Sequence, residues 1–200
     1  MLCSKGKTIN IEEFYKKLTP FYHLLYPNWE QSISKQAVQL EEIFTNNIDG
    51  DVTTILDVSC GIGTQSLGLA MKGYSVSASD LSSHEVRRAI KKAEKRKLDI
   101  NFSVANMKSA YEHHQKQFDI VLSLDNAVPH LLNDDDILKA FKEFFLCTKQ
   151  GGSCLISVRD YANEDLTKTQ VKTYGLRNDG EKKYLLFQTW EFHNNIYVYS

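Results

Sequence analysis

The stretch that decides the fold covers residues 53–64 and reads TTILDVSCGIGT. Its first part, Thr53 to Ser59, is a short β-branched and apolar run, which predicts a buried strand. Its second part places Gly61 and Gly63 in a loop, where small residues allow a tight turn and the close approach of a ligand. A helical stretch follows and stops at Gly73. The order of strand, glycine loop and helix predicts the start of an α/β domain.

Further strands alternate with helices on both sides of this stretch. The periodicity predicts strands at 75–79, 101–105, 118–124 and 154–158, a short helix or turn at 109–115, and helices over 30–47, after Ser82, and from Asn133 to Gly151-Gly152. Residues 163–181 are polar and predict a loop, whereas 184–192 and 196–199, separated by Asn194-Asn195, predict a hairpin. Alternation of this kind predicts a mostly parallel central sheet with helices on both faces.

The length of 200 residues predicts one domain of ordinary size. We expect residues 1–50 to be an N-terminal helical attachment, 51–162 the core, and 163–200 a loop and hairpin of the same domain. Because ligands of such sheets bind at the carboxyl ends of the strands, we expect the functional residues in the loops that follow them.

Composition excludes several classes of protein. The 24 Lys and Arg against 25 Asp and Glu leave a net charge of −1, which offers no broad positive field for nucleic acid. No apolar stretch is long enough for a membrane span or resembles a signal peptide, and the four cysteines form no CxxC pair. A cytoplasmic protein with reduced thiols is expected. The adjacent His113 and His114 are expected to be exposed, and no metal site is predicted.

Two carboxylates suggest the kind of ligand. Asp80 ends the second predicted strand, 19 residues after Gly61, where a carboxylate accepts both hydroxyl hydrogens of a ribose. Asp57 ends the first predicted strand, where it suits a ligand with a positive amine and repels a pyrophosphate. Ser66 stands where a dinucleotide fingerprint has its third small residue. An NAD(P)-dependent oxidoreductase is therefore the weaker alternative.

The loop resembles the acidic-x-Gly-x-Gly-x-Gly motif of class I S-adenosylmethionine-dependent methyltransferases, with Ser59 in place of the first glycine. Asp80-Leu81 resembles the ribose-binding segment of that family, Ala105-Asn106-Met107 the adenine-edge motif, and Leu124-Asp125-Asn126 the segment beside the methyl group. The resemblance covers about residues 53–161 and implies a Rossmann-like fold and S-adenosylmethionine as cofactor. It implies the following cofactor-binding residues: Asp57, Ser59, Gly61, Gly63, Asp80, Leu81, Asn106, Met107, Leu124 and His130.

Within this superfamily, Asn126-Ala127-Val128-Pro129-His130-Leu131 and Ser157-Val158-Arg159-Asp160-Tyr161 resemble the glycine and sarcosine N-methyltransferase-like enzymes. This resemblance implies that Asn126 and His130 border the cofactor and the methyl acceptor, and that Arg159 binds a carboxylate of the acceptor. It also makes residues 21–26, which include Tyr22, a lid over the cofactor. The implied activity is N-methylation of a small carboxylate-bearing amine, with Asn126, Arg159 and Tyr22 as catalytic candidates.

Several alternatives stay open at this point. His130 could be a core histidine, Arg159 a partner in a surface salt bridge, and Tyr22 a packing residue. The chain stops at Ser200, where the resembling enzymes continue with a helix and two strands, so the C-terminal strands of the usual fold are expected to be missing. The alternative function is therefore a cofactor-binding but inactive fragment or a regulatory partner. The identity of the acceptor and the oligomeric state are left open.

Overall fold

The structure is a computed structural model that describes residues 2–4, 7–9, 11–165, 167–193 and 196–199. The chain divides into two compact units, one of residues Glu30–Val158 and one that joins Met1–Trp29 to Arg159–Ser200. We call them the larger and the smaller unit and describe each by itself. The predicted division of roles among 1–50, 51–162 and 163–200 stays a prediction, because compactness alone assigns no role to a segment.

The strands and helices follow one another as the sequence pattern predicts in the middle of the chain. In chain order the strands are β1 (Leu2–Ser4), β2 (Lys7–Ile9), β3 (Thr54–Asp57), β4 (Ser75–Asp80), β5 (Ile100–Val104), β6 (Phe118–Ser123), β7 (Thr148–Ile156), β8 (Gln170–Asp179), β9 (Lys182–His193) and β10 (Ile196–Tyr199). The helices are α1 (Ile11–Leu18), α2 (Trp29–Asn47), α3 (Thr64–Met71), α4 (Ser83–Arg96), α5 (Ala110–His114) and α6 (Asp134–Cys147).

The larger unit is built on a five-stranded sheet in the order β5-β4-β3-β6-β7. Every pairing between neighbouring strands of this sheet is parallel. The prediction of a parallel sheet interleaved with helices is therefore confirmed. Because the strands run in one direction, the loops after β3, β4, β5 and β6 all leave from the same edge of the sheet, and these loops carry most of the predicted site residues.

Helices cover both faces of this sheet. Successive strand residues point to opposite faces and therefore pack against different helices. Ile55 and Ile120 pack on one face with Leu40 and Phe44 of α2. The next residues along the same strands, Leu56 and Val121, pack on the other face. Their partners there are Ala110 of α5 and three residues of α6: Ala140, Phe144 and Cys147. Both strand faces are thus buried, which explains the uninterrupted apolar runs Ile55-Leu56 of β3 and Ile120-Val121-Leu122 of β6.

The predicted end of α6 at Gly151-Gly152 is wrong. The helix ends at Cys147, and both glycines lie inside β7. Gly151 has a φ of +79°, and a Cβ on Gly152 would lie 2.7 Å from the carbonyl oxygen of Asp119 on β6. The register between β6 and β7 shifts at this point. The two glycines therefore form an irregularity inside a strand, where the neighbouring backbone approaches closely.

The smaller unit contains an antiparallel sheet in the order β10-β9-β8. The prediction of a loop over 163–181 is wrong, because residues 170–179 form β8. The predicted pairing of two C-terminal strands is found in β9 and β10, while the predicted turn at Asn194-Asn195 lies outside the described residues. Among the described residues, no helix combines the length and apolar character that crossing a bilayer needs.

Candidate functional site

The loop between β3 and α3 is a tight turn that depends on glycine at two positions. Gly61 and Gly63 have φ angles of +51° and +87°, a backbone region that other residues rarely adopt. A Cβ on Gly63 would lie 3.1 Å from the Cβ of Ala89 on α4, so this position also requires the close approach of two elements. The Cys60 N–H donates to the carbonyl of Ser79 on β4 and fixes the loop against the neighbouring strand.

Asp80, at the end of β4, is joined directly to this loop. Its Oδ2 accepts from the backbone N–H of Gly61 at 2.9 Å, and its Oδ1 accepts from the N–H of Ser82 at 2.8 Å. The nearest atom to a Cβ built on Gly61 is Glu85 Oε2, at an ordinary contact distance of 3.9 Å. The backbone of Leu81 also donates to Asp80, and the carboxylate retains a lone pair for a further donor. The structure therefore brings together the two residues from which a ribose site was predicted.

Asp57, at the end of β3, is buried, with 2% of its surface exposed. The Ser66 hydroxyl donates to Asp57 Oδ2 at 2.7 Å, and the Ser59 N–H donates to Oδ1 at 3.3 Å. Burial raises the pKa of Asp57 to about 7 despite these two hydrogen bonds. Asp57 thus holds the loop to α3, and its predicted contact with a cationic ligand stays a prediction. Sequence reasoning missed this role of Ser66.

The predicted adenine-edge residues lie in the loops after β4 and β5. Leu81 is 56% exposed and leaves an apolar surface next to Asp80 in the sequence. Asn106 caps the 3-10 helix Met107–Ser109, and its Oδ1 accepts from the Lys108 N–H at 2.9 Å. That oxygen retains one lone pair for an adenine amine. The roles of Leu81, Asn106 and Met107 in cofactor binding stay predictions.

The carboxyl end of β6 leads into a strained turn. Asp125 and Asn126 have φ angles of +53° and +66°, two consecutive residues other than glycine in the left-handed region. Such conformations are unfavourable and cluster at functional sites, and Asp and Asn tolerate them better than most residues. Before the turn, Leu124 packs against the core, and the hydroxyls of Ser123 and Ser59 lie 3.2 Å apart. Asn126, a catalytic candidate, therefore has a backbone conformation that is unfavourable by itself and that the surrounding structure must hold in place.

Gln65 of α3 connects this turn to the rest of the larger unit. The side chain is 6% exposed, and its Nε2 donates to Asp125 Oδ2 at 3.0 Å and to Gln36 Oε1 at 2.8 Å. From the other side, the N–H of Asp125 donates to the Ser157 hydroxyl at 3.0 Å. Sequence reasoning missed the role of Gln65. Its only signal in the sequence is a polar side chain in a largely apolar helix.

Glu85 is a second buried carboxyl group besides Asp57. Sequence reasoning missed it, because its spacing from Ser82 predicts only a capping box. Half of that motif forms, since the Ser82 hydroxyl accepts from the Glu85 N–H at 3.4 Å. The Ser82 N–H bonds to Asp80 instead of to the Glu85 carboxyl. Glu85 Oε1 is left buried and without a hydrogen-bond partner.

The histidines behave differently from one another. His130 ends the 3-10 helix Val128–His130, and burial lowers its pKa. The prediction that both adjacent histidines are exposed is wrong for His114, whose Nε2 lies 3.1 Å from the Ser79 hydroxyl. Burial lowers the pKa of His114 to about 4, so it is neutral at pH 7. Among the described residues, no three His, Cys, Asp or Glu side chains gather as a metal ion would need.

Arg159 and Tyr22 belong to the smaller unit. The Arg159 guanidinium lies 4.3 Å from the centroid of the Trp190 ring and 4.0 Å from Glu164, whose closer partner is Lys172 at 2.8 Å. Tyr22 begins the 3-10 helix Tyr22–Leu25. The guanidinium thus lies over the face of an aromatic ring, where a cation is attracted to the π-system. Their roles as catalytic candidates stay predictions.

Comparison with known proteins supports one family. Residues 55–152 match the model of the methyltransferase domain. A glycine/sarcosine N-methyltransferase from Parasynechococcus marenigrum is 30% identical over 108 residues, which cover 54% of this chain and 38% of that protein. A Geobacillus protein named as a methyltransferase is 29% identical over 80% of this chain and 60% of its own length. The chain therefore spans about 40% to 60% of the length of these relatives.

A solved structure shares the fold. An amino pentose methyltransferase from Micromonospora echinaspora, determined with S-adenosylmethionine bound, superimposes with a TM-score of 0.69 at 14% identity. The match covers 96% of this chain and 74% of that one. The names of other relatives include ubiquinone biosynthesis O-methyltransferases and tRNA methyltransferases, so the relatives agree on methyl transfer but differ in the acceptor.

Proposed function

We propose that the chain is a class I S-adenosylmethionine-dependent methyltransferase that transfers a methyl group from this cofactor to a small-molecule acceptor, which the match of residues 55–152 to the methyltransferase domain and the named relatives support. One observation carries the proposal. Asp80 and the glycine loop meet at the carboxyl edge of the parallel sheet, with 2.9 Å between the Gly61 nitrogen and Asp80 Oδ2. The absence of a side chain at Gly61 and the remaining hydrogen-bonding capacity of the Asp80 carboxylate fit a ribose.

Each predicted residue has a chemical task in this proposal. Asp80 accepts from the ribose hydroxyls, Leu81 offers an apolar surface to the adenine, and Asn106 accepts from the adenine amine. The carboxyl group of Asp57 and the strained turn at Asn126 are assigned to the reacting end of the cofactor. The remaining residues implied by the resemblance line the same loops: Ser59, Gly63, Met107, Leu124 and His130.

The cofactor supplies an electrophilic methyl group on a sulfonium, so no nucleophilic side chain is required. The chain has to exclude water and hold an acceptor lone pair in line with the carbon–sulfur bond. An amine acceptor must also be neutral when it reacts, which side-chain oxygens favour by accepting from its N–H groups. Within the larger unit, the carbonyl oxygen of Asn126 is suited to this task.

For the acceptor, we propose a small carboxylate-bearing amine bound by Arg159. The similarity to a relative named for glycine and sarcosine supports this class of acceptor. The stacking of Arg159 on Trp190 orients its planar fork, and a guanidinium binds a carboxylate through two parallel hydrogen bonds. The net charge of −1 disfavours a nucleic acid as acceptor.

The test is cofactor binding by calorimetry in the wild type and in Asp80→Ala. We expect the loss of the ribose contacts to weaken binding by about 2–4 kcal/mol. Asp99→Ala, which removes an exposed carboxylate, is the matched control and should bind like the wild type. An unchanged dissociation constant in Asp80→Ala refutes the assignment. Binding without transfer to any of a panel of small amines and acids instead supports the cofactor-binding, inactive alternative.

A further inference from the structure

Glu85 presents a feature that the proposed function does not use. Its side chain lies under the glycine loop with 3% of its surface exposed, and Oε1 has no hydrogen-bond partner among the described residues. Oε2 points toward Gly61, 3.9 Å from the position of a Cβ there. A buried polar atom without a partner is unfavourable, and an isolated buried charge is more so. The carboxyl group therefore keeps its proton.

The charges around Glu85 reinforce this state. Burial, followed by the nearby charge of Asp80 at the end of β4, raises the pKa of Glu85 to about 8, while Arg88, one turn further along α4, acts in the opposite direction. Cys60 of the loop faces the same space, and burial keeps its thiol neutral by raising its pKa. When Glu85 loses its proton, two carboxylates share one small buried volume.

A hydrogen-bonded path leads from Glu85 to the proposed ribose site. The Glu85 N–H donates to the Ser82 hydroxyl in the first turn of α4. The N–H of Ser82 in turn donates to Asp80 Oδ1 at 2.8 Å. These bonds involve the main chain of Glu85 and not its carboxyl group, so they link the position of the first turn of α4, which carries Glu85, to the orientation of the Asp80 carboxylate.

We propose that Glu85 is a positioning residue for cofactor binding, and that the proton on its carboxyl group holds Asp80 and the glycine loop in the binding geometry. The inference rests on the proposed ribose site at Asp80. Binding then requires a protonated Glu85, so affinity falls as the pH rises through the value at which Glu85 ionises. Ligand binding in turn draws a proton onto the protein at that pH.

The test uses adenosine, which carries the ribose but lacks the sulfonium, amine and carboxylate of the cofactor, and so does not itself titrate in this range. Calorimetry gives its dissociation constant from pH 6.5 to 9.5. We expect the constant to be level below pH 7.5 and to rise toward tenfold per pH unit above pH 8. Near pH 8, titrations in buffers of different ionisation heat should show proton uptake.

Glu85→Gln is the decisive variant, because its amide is neutral at every pH. The variant should bind adenosine like the wild type at pH 7, with a level profile and no proton uptake. Glu85→Met, which removes the titrating group in a different way, should also have a level profile. Glu94→Gln, an exposed position of the same helix, should keep the wild-type profile. Asp57, with a pKa of about 7, is present in all variants, so its ionisation contributes equally to all of their binding profiles.

Two results overturn the inference. One is a wild-type profile that stays level to pH 9.5, and the other is a Glu85→Gln profile that keeps the rise of the wild type. Asp80→Ala separates these from a failure of the cofactor assignment. If Asp80→Ala weakens adenosine binding while the wild-type profile is level, the ribose site stands and only the role of Glu85 is wrong. If Asp80→Ala binds like the wild type, the ribose site itself is misplaced.

Discussion

At the scale of single residues, Asp57 shows how one buried group shapes a loop. Its carboxyl group has no access to bulk water and depends on the Ser66 hydroxyl and the Ser59 N–H as donors. Burial raises its pKa to about 7 even with both bonds in place. Loss of one donor leaves a buried carboxyl oxygen unsatisfied, which is more harmful than loss of an exposed bond.

We therefore predict that Ser66→Ala lowers the free energy of unfolding by about 1–3 kcal/mol, as measured in urea. The matched control is Ser103→Ala, because the Ser103 hydroxyl is also buried but has no partner in the described part of the chain. Its removal should leave stability unchanged or raise it. Equal losses in the two variants would contradict the role assigned to Ser66.

Arg159 allows a test of the acceptor class at the same scale. If its planar fork binds a carboxylate, Arg159→Lys keeps the charge but loses the two-bond geometry. We expect kcat/KM for the best acceptor to fall roughly tenfold or more, with the dissociation constant of the cofactor unchanged. Lys172→Arg, the reverse exchange at the second cation over the Trp190 ring, should have little effect. Wild-type efficiency in Arg159→Lys makes the residue structural.

At the scale of elements, Gln65 couples α3 to the strained turn after β6. Gln65→Met keeps the volume of the side chain and removes both hydrogen bonds that its amide donates. Asp125 is exposed and can bond to water, so we expect a stability loss below about 1 kcal/mol. The turn at Asp125 and Asn126 should become mobile, because strained conformations persist only where the surroundings fix them.

Hydrogen exchange checks this prediction independently of activity. The amides of residues 125–128 should exchange faster in Gln65→Met, and kcat should fall more than the affinity for the cofactor. Gln117→Met is the control, since Gln117 is an exposed residue whose amide binds a single backbone carbonyl. Unchanged exchange rates at the turn would show that the Ser157 hydroxyl alone holds it.

The elements also show what a sequence pattern can and cannot predict. Strands β3 and β6 were predictable because they are buried on both faces and therefore contain apolar runs, Ile55-Leu56 and Ile120-Val121-Leu122. Gly151-Gly152 was misread because a glycine pair ends a helix more often than it interrupts a strand. β8 was missed because its side chains are largely polar, and its strand state depends on pairing with β9.

For the site, the contact between Asp80 and Gly61 followed from strand order, since Asp80 ends β4 and Gly61 lies in the loop after the neighbouring parallel strand β3. The roles of Ser66, Gln65 and Glu85 did not follow from it. Each depends on which helix face meets which loop, and a single sequence carries that information only as a polar residue in an apolar pattern.

At the scale of the whole molecule, buried carboxyl groups and histidines contribute to how stability depends on pH, and Asp80, whose pKa burial raises, acts in the same sense as the two carboxyl groups that follow. Asp57 and Glu85, with pKa values of about 7 and 8, keep protons in the folded protein that the unfolded chain has lost above about pH 4.5. Stability therefore falls as the pH rises, until these groups ionise. His114 and His130 have lowered pKa values and act in the opposite sense below pH 6.5, where only the unfolded chain takes up their protons.

The two effects oppose each other up to about pH 6.5, and above it only the carboxyl groups contribute. We predict that the free energy of unfolding falls from pH 6.5 to 8, by as much as about 1.4 kcal/mol per pH unit for each group still protonated. Urea denaturation at half-unit steps of pH measures this slope. In Glu85→Gln the decline should end near pH 7, where Asp57 ionises, and the variant should be the more stable protein at pH 8. A wild-type slope that is level or rising over this range would show that the folded protein carries both carboxylates ionised, with partners that compensate their burial.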